Sequence, residues 1–221
     1  MEMTKDKLDI RGMQGRSVPN VFWRQKAGSH RLAIIWPGYG YRIDMPVLYY
    51  ATRVALLYGY DTLCVGTNYS EDLLYLEMPD KERSELANTE AEAAYAAATS
   101  GNSYSELLLM GKSLGTFTML HVLESQAQAK ETKCVWLTPV LTSDYLYEHV
   151  LRLSPPSLFV IGDKDPYFSR ERLDHLVRSA RGHAFVVPGA THDLEVEGDV
   201  FASIEALSHM MQALSSFLGA S

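Results

Sequence analysis

Three short segments of this 221-residue chain hold side chains that would be chemically complementary if the fold brought them together. The first is Gly111-Lys112-Ser113-Leu114-Gly115, a G-x-S-x-G pattern directly behind the apolar run 107–110. A serine so flanked can occupy a sharp, strained strand-to-helix turn that presents its hydroxyl. Side chains two residues to either side would collide where strand and helix pass, and glycine has none. The following helix would aim its first N–H groups at the site, which suits a developing oxyanion.

A serine hydroxyl is a poor nucleophile until a base takes its proton. Of the seven histidines, His121, His175 and His209 fall in expected helices, His30 precedes a strand, His183 opens one, and His149 lies in a short amphipathic stretch. His192 differs. It sits in Pro188-Gly189-Ala190-Thr191-His192-Asp193, after the last apolar strand and before the closing helix. That placement makes it the expected base. The third segment, Gly162-Asp163-Lys164-Asp165-Pro166, follows the strand expected at 157–161 and offers two carboxylates to orient the base. Asp165 is favoured, because Pro166 suits the first turn of a following helix and would leave Asp165 at the helix boundary. Asp163 remains the alternative, and either could serve as a helix cap. An oxyanion needs two backbone donors. The Leu114 amide follows the nucleophile, and the Tyr39 amide lies in the glycine-bearing loop Pro37-Gly38-Tyr39-Gly40-Tyr41.

Positioning these segments requires a scaffold, and the pattern supplies one. Two β-like runs are expected at 8–13 and 21–25. Buried strands follow at 32–36, 61–66, 107–110, 133–137, 157–161 and 184–187, with helices at 43–58, 80–99, 114–128, 169–180 and 201–218. Continuous apolar strands alternating with helices predict an α/β fold: a mostly parallel, doubly wound sheet with helices on both faces. In such sheets ligands bind outside the carboxyl ends of the strands, where all three segments lie. No repeat or linker interrupts the pattern, so residues 1–221 are expected to form one domain.

Composition narrows the function classes. A formal charge of −7 speaks against a nucleic-acid partner and against an anionic membrane surface. Residues 1–11 lack the apolar core of a signal peptide. The apolar stretch 45–60 is interrupted by Arg53 and too short to span a bilayer. Cys64 and Cys134 sit in apolar strands without metal-ligand spacing, which suggests a reducing compartment and a cytoplasmic location.

The order Ser…Asp…His, each after a successive strand, resembles the α/β-hydrolase superfamily over nearly the whole chain, from the 37–41 loop to the last helix. The resemblance implies a nucleophile–acid–base triad of Ser113, Asp165 and His192. Gly38-Tyr39 is similar to the family's His-Gly-x oxyanion loop, with Pro37 in place of the histidine. Size and the absence of a large cap resemble compact esterases, thioesterases and dienelactone-hydrolase-like members. The dienelactone group itself uses cysteine where this chain has serine.

The implied reaction is acyl transfer from a small ester or thioester to water through an acyl-enzyme, with no metal and no cofactor. A peptidase or an acyltransferase could use the same triad, and a non-catalytic binding protein could share the fold. Residues 138–156 leave room for a short helix, and 68–79 form a second candidate flap, so an open, shallow pocket is expected. Tyr39, Tyr41, Tyr145, Tyr167 and Phe168 fall near strand ends and are candidates to line it. Lys112 reads as a surface lysine, and Asp80-Lys81-Glu82-Arg83 as a solvated helix start.

Overall fold

The computed structural model describes residues 2–127, 129–179 and 181–220. Eight strands form one sheet: β1 (Met3–Asp6), β2 (Asn20–Gln25), β3 (Arg31–Trp36), β4 (Asp61–Val65), β5 (Glu106–Lys112), β6 (Lys133–Leu137), β7 (Ser157–Gly162) and β8 (His183–Val187). Their spatial order is β1-β2-β4-β3-β5-β6-β7-β8. The six strands from β4 to β8 run parallel, while β2 pairs antiparallel with β4 and β1 antiparallel with β2. The doubly wound, mostly parallel sheet expected from the pattern is thus the architecture observed.

The strands are apolar throughout because both faces are covered. Leu32, Ile34 and Trp36 of β3, Leu109 of β5 and Trp136 of β6 face one core. That core is closed by α3 (Asp80–Thr99), α4 (Leu114–Glu124), α5 (Asp144–Leu153) and α6 (Arg170–Ser179). Ala33, Ile35, Leu108, Met110 and Val135 alternate onto the other face, under α1 (Pro46–Leu57) and α7 (Val200–Gly219). Each fully buried Leu, Ile or Phe contributes about 2 kcal/mol of transfer free energy before entropy is counted. The chain turns at β3: α1 carries it out to β4 and α3 carries it back to β5 on β3's other side. The crevice this reversal leaves at the carboxyl ends of β3 and β5 is where Ser113 emerges. No helix among the described residues is long and apolar enough to cross a membrane.

Several boundaries differ from expectation for identifiable reasons. The run 8–13 is not a strand. Ile10 is buried, which gives the segment its apolar pattern, but the Leu8 amide and carbonyl bond the side chain of Asn20 instead of a ladder. The first strand is instead the charged, mostly exposed β1, stabilised as an edge by pairing with β2. Helix α1 starts at Pro46, whose fixed φ and missing N–H suit a first helical position. The expected helix ends Gln128 and Ala180 lie outside the described residues. The segment 138–156 holds the short helix α5. The candidate flap is a 3-10 turn (Tyr69–Glu71) followed by the five-residue α2 (Leu73–Glu77). Arg83 is not merely solvated, because its guanidinium donates to the Tyr75 and Leu76 carbonyls and ties the flap to α3.

Candidate active site

Ser113 joins β5 to α4 with φ 51° and ψ −114°, a left-handed conformation that non-glycine residues seldom adopt. Its amide donates to the Leu137 carbonyl at 2.9 Å, and its carbonyl accepts the Thr116 amide at 2.9 Å. The strain is therefore held from both sides. A Cβ on Gly111 would lie 2.3 Å from the Gly115 carbonyl oxygen. One on Gly115 would lie 2.4 Å from the Trp36 oxygen and 2.5 Å from that of Pro37. The first glycine lets strand and helix pass. The second lets the helix seat against the 37–41 loop, a contact the sequence did not reveal.

His192 bridges the other two groups. Its Nε2 is 2.8 Å from Ser113 Oγ and its Nδ1 is 2.7 Å from Asp165 Oδ2. An ionised carboxylate only accepts, so Nδ1 carries the proton and Nε2 is left to accept from the serine hydroxyl. The carboxylate of Asp165 is fully buried, and its other oxygen accepts the Tyr167 amide at 2.9 Å. The Tyr167 ring stands edge-on to the imidazole at 5.2 Å. The three residues picked out in the sequence are thus brought into one hydrogen-bonded line.

The reason for preferring Asp165 needs correction. Pro166 does not open a helix, since α6 begins only at Arg170. Asp165 sits in a tight turn, where burial and the Tyr167 amide fix it. Asp163, the alternative, is engaged elsewhere: its Oδ1 accepts the Gly189 amide at 2.7 Å. That bond helps lace the loop after β7 to the loop after β8. Lys164 N donates to Ala190 O at 3.0 Å, and a Cβ on Gly162 would lie 2.0 Å from the same oxygen. The His192 loop is itself a tight turn, with Thr191 N on Glu195 O at 2.9 Å and Leu194 at φ 62°.

Other histidines have other partners. His121 meets Glu92, His149 meets Glu124, and His175 meets Tyr147.

The oxyanion candidates fall where expected along the chain. Leu114 is the first residue of α4, and Tyr39 lies in the loop after β3. A Cβ on Gly38 would be 3.3 Å from the Ser113 Cβ, so this loop runs directly against Ser113. Among the candidate lining aromatics, Tyr39, Tyr145 and Tyr167 are exposed. Tyr41 lines a small groove of about 190 Å³ with Val47, Asp193 and Leu194, and Phe168 is half-buried. Tyr41 is buried, with its hydroxyl accepting the Val47 amide, and Phe168 packs on the core. Tyr75 of the flap lies 6.2 Å from the Tyr39 ring and stacks on Tyr69 at 4.4 Å. A groove of about 460 Å³ starts at Leu114 and runs past Phe117 to Tyr145. The larger groove of about 720 Å³ lies between α1 and α7, away from Ser113.

Lys112 overturns its expectation most clearly. It is wholly buried, not on the surface. Its Nζ donates to the His192 carbonyl at 2.9 Å and to Thr138 Oγ1 at 3.2 Å. It also lies 3.8 Å from Asp193 Oδ1 and 4.3 Å from the centre of the Tyr41 ring. Desolvation lowers its pKa to about 8, against the opposing pull of Asp193 and Asp165. The period-2 alternation of β5 carried the signal, since Leu108, Met110 and Lys112 share one face. Cys64 and Cys134 are buried free thiols. Burial pushes Cys64 up to about 11 and Cys134 higher still.

The sequence matches no protein-family model and no curated protein. Solved structures do match. A dienelactone hydrolase from Anabaena variabilis is 15% identical, with TM-score 0.71 over 98% of this chain and 97% of that one. An alpha-beta serine hydrolase homologue from Coxiella burnetii is 15% identical, with TM-score 0.69 over 97% and 96%. A cold-adapted esterase from an Arctic intertidal metagenomic library is 16% identical, with TM-score 0.65 over 97% and 93%. At such identities the likeness is one of fold.

Proposed function

We propose that this chain, which has the α/β-hydrolase fold, is a serine hydrolase that cleaves a carboxylic ester or thioester of a small substrate through an acyl-enzyme. One observation carries the reading: Ser113, His192 and Asp165 lie in a single line with contacts of 2.8 and 2.7 Å. It is supported by the strained turn at Ser113 and by the 15–17% identical structural neighbours that include dienelactone hydrolases and esterases.

In this reading Ser113 Oγ bonds the acyl carbon as its proton passes to His192 Nε2. Asp165 holds the imidazole by Nδ1 and stabilises the imidazolium. The amides of Leu114 and Tyr39 receive the oxyanion, and losing one such donor costs about 3 kcal/mol of barrier. The tetrahedral adduct collapses, and the departing alcohol or thiol takes the proton from His192. Water then gives a proton to His192 Nε2 as its oxygen bonds the acyl carbon; the bond from that carbon to Ser113 Oγ breaks, Oγ takes the proton back from His192, and the acid leaves. The groove lined by Leu114, Phe117 and Tyr145 would take an acyl or leaving group in this reading, since Leu114 adjoins Ser113 in the chain.

Labelling with a fluorophosphonate tests this. The wild-type chain should acquire one adduct on the peptide containing Ser113, and Ser113→Ala should acquire none. An unreactive wild-type chain, or a Ser113→Ala variant labelled as fast as wild type, would contradict the reading.

A further inference from the structure

An ammonium ion deep in a fold is costly, because it loses its hydration. A chain tolerates one where something else depends on it. Lys112 precedes the nucleophile, yet its amine reaches across the sheet edge to the carbonyl of the base, His192, at 2.9 Å. Its surroundings come from every neighbouring loop. Tyr41, after β3, offers its ring face, and Thr138, after β6, accepts at 3.2 Å. Asp165, after β7, acts through its charge, and the loop after β8 supplies the His192 carbonyl and the Asp193 carboxylate. Tyr41 is itself raised to about 12 by burial and by the charges of Asp193 and Glu195, so it stays neutral.

We propose that Lys112 is a positioning residue: its ammonium fixes the His192 carbonyl, and so the reach of the imidazole to Ser113, and the site works fully only while that amine holds its proton. The proposal rests on the hydrolase reading. A charge-assisted bond is roughly twice as strong as a neutral one, so deprotonation loosens the tether and also ends the attraction to Asp193.

The amine titrates at about 8 in the folded chain against 10.5 ordinarily. Between those values the folded chain has released a proton that the unfolded chain keeps. For this group, rising pH therefore favours the folded state. Lost activity and gained stability run together across that window. A lysine with the same lowered value but no part in positioning His192 would give the same gain in stability without the loss of activity.

The test measures turnover of p-nitrophenyl acetate and the rate of fluorophosphonate labelling against pH. Wild type should lose activity above about pH 8 with no fall in melting temperature attributable to Lys112. Lys112→Met should lower kcat about a hundredfold with KM little changed, the cost of a small misplacement of a catalytic group. That variant should lack the limb near pH 8. In Asp193→Asn, which removes a charge that raises the lysine, the limb should move to lower pH. Asp193 is exposed, so this variant remains informative if Lys112→Met does not fold. A Lys112→Met variant with wild-type kcat, or one keeping the limb near pH 8, would overturn the proposal. An unreactive wild-type chain would instead fail the hydrolase reading. In that case NMR still decides the tether: the His192 ring signals should follow the titration of the Lys112 ε-carbon and shift in Lys112→Met, and unmoved signals would refute it.

Discussion

Ser113 has two flanks, and they are built on different principles. On the His192 side the loops after β7 and β8 are laced to one another at atomic contact. Gly162 lies under the Ala190 carbonyl, Asp163 holds the Gly189 amide, Lys164 holds Ala190, and Lys112 holds His192 from below. Asp165 is sealed from water. On the Tyr39 side the loop and flap present side chains outward: Tyr39 is 51% exposed, Leu73 75% and Leu74 50%. Beneath those exposed side chains the flap is held by ring stacking, by guanidinium bonds from Arg83, by the ion pair of Arg16 with Asp72 and by the Tyr69 hydroxyl on Glu90. Proton transfer needs fixed distances of hydrogen-bond length, and the laced flank supplies them. In the proposed hydrolase the open flank would meet substrate, where adaptable apolar area serves better than rigidity.

The sharpest way to break this contrast is to compare the two aspartates of the laced flank. Asp165→Asn should lower kcat by about 10⁴-fold, because the amide no longer selects the tautomer that leaves Nε2 free. Asp163→Ala should cost about 1 kcal/mol of stability from the lost Gly189 bond and leave kcat within about tenfold. Steady-state kinetics with thermal melts of both variants checks this. Equal kinetic losses would mean that the two carboxylates are not divided between proton chemistry and loop architecture.

Smaller effects should separate the flanks themselves. Alanine at Gly162 would put a Cβ 2.0 Å from backbone, which cannot step aside, and should destabilise by about 3 kcal/mol. Alanine at Gly40, at φ 78°, would meet the Ser70 hydroxyl at 3.1 Å, which can rotate away, and the Ser70 Cβ at an ordinary contact of 3.4 Å, and should cost about 1 kcal/mol. Denaturant titration of both variants gives the comparison. A Gly40→Ala variant as unstable as Gly162→Ala would mean that the open flank is as constrained as the laced one.

The two flanks also differ in how far they could be read from sequence. Ser113, Asp165 and His192 were legible because each is a reactive residue type at the end of an apolar strand, and strand periodicity fixes where strand ends gather. Lys112 was not, although its neighbours Leu108 and Met110 mark the inward face. A charged residue at a strand end ordinarily escapes into water, and only the closing of Tyr41, Thr138 and the His192 loop over it prevents that. The division of labour between Asp163 and Asp165 was hidden for a similar reason. It depends on which one faces the neighbouring loop, and that is decided by a turn between residues remote in sequence. At the amino end, Ile10 gave residues 8–13 the look of a strand, while their backbone bonds the Asn20 side chain and the nearby residues Arg16 and Val18, and joins no sheet strand.

In the proposed hydrolase Ser113 carries the acyl group. Rapid-quench peptide mass spectrometry during turnover of p-nitrophenyl acetate observes that step directly. The expected result is an acetyl group on the Ser113 peptide that forms together with the nitrophenolate burst. Turnover with no acyl group on Ser113, or with the group on another residue, would contradict it.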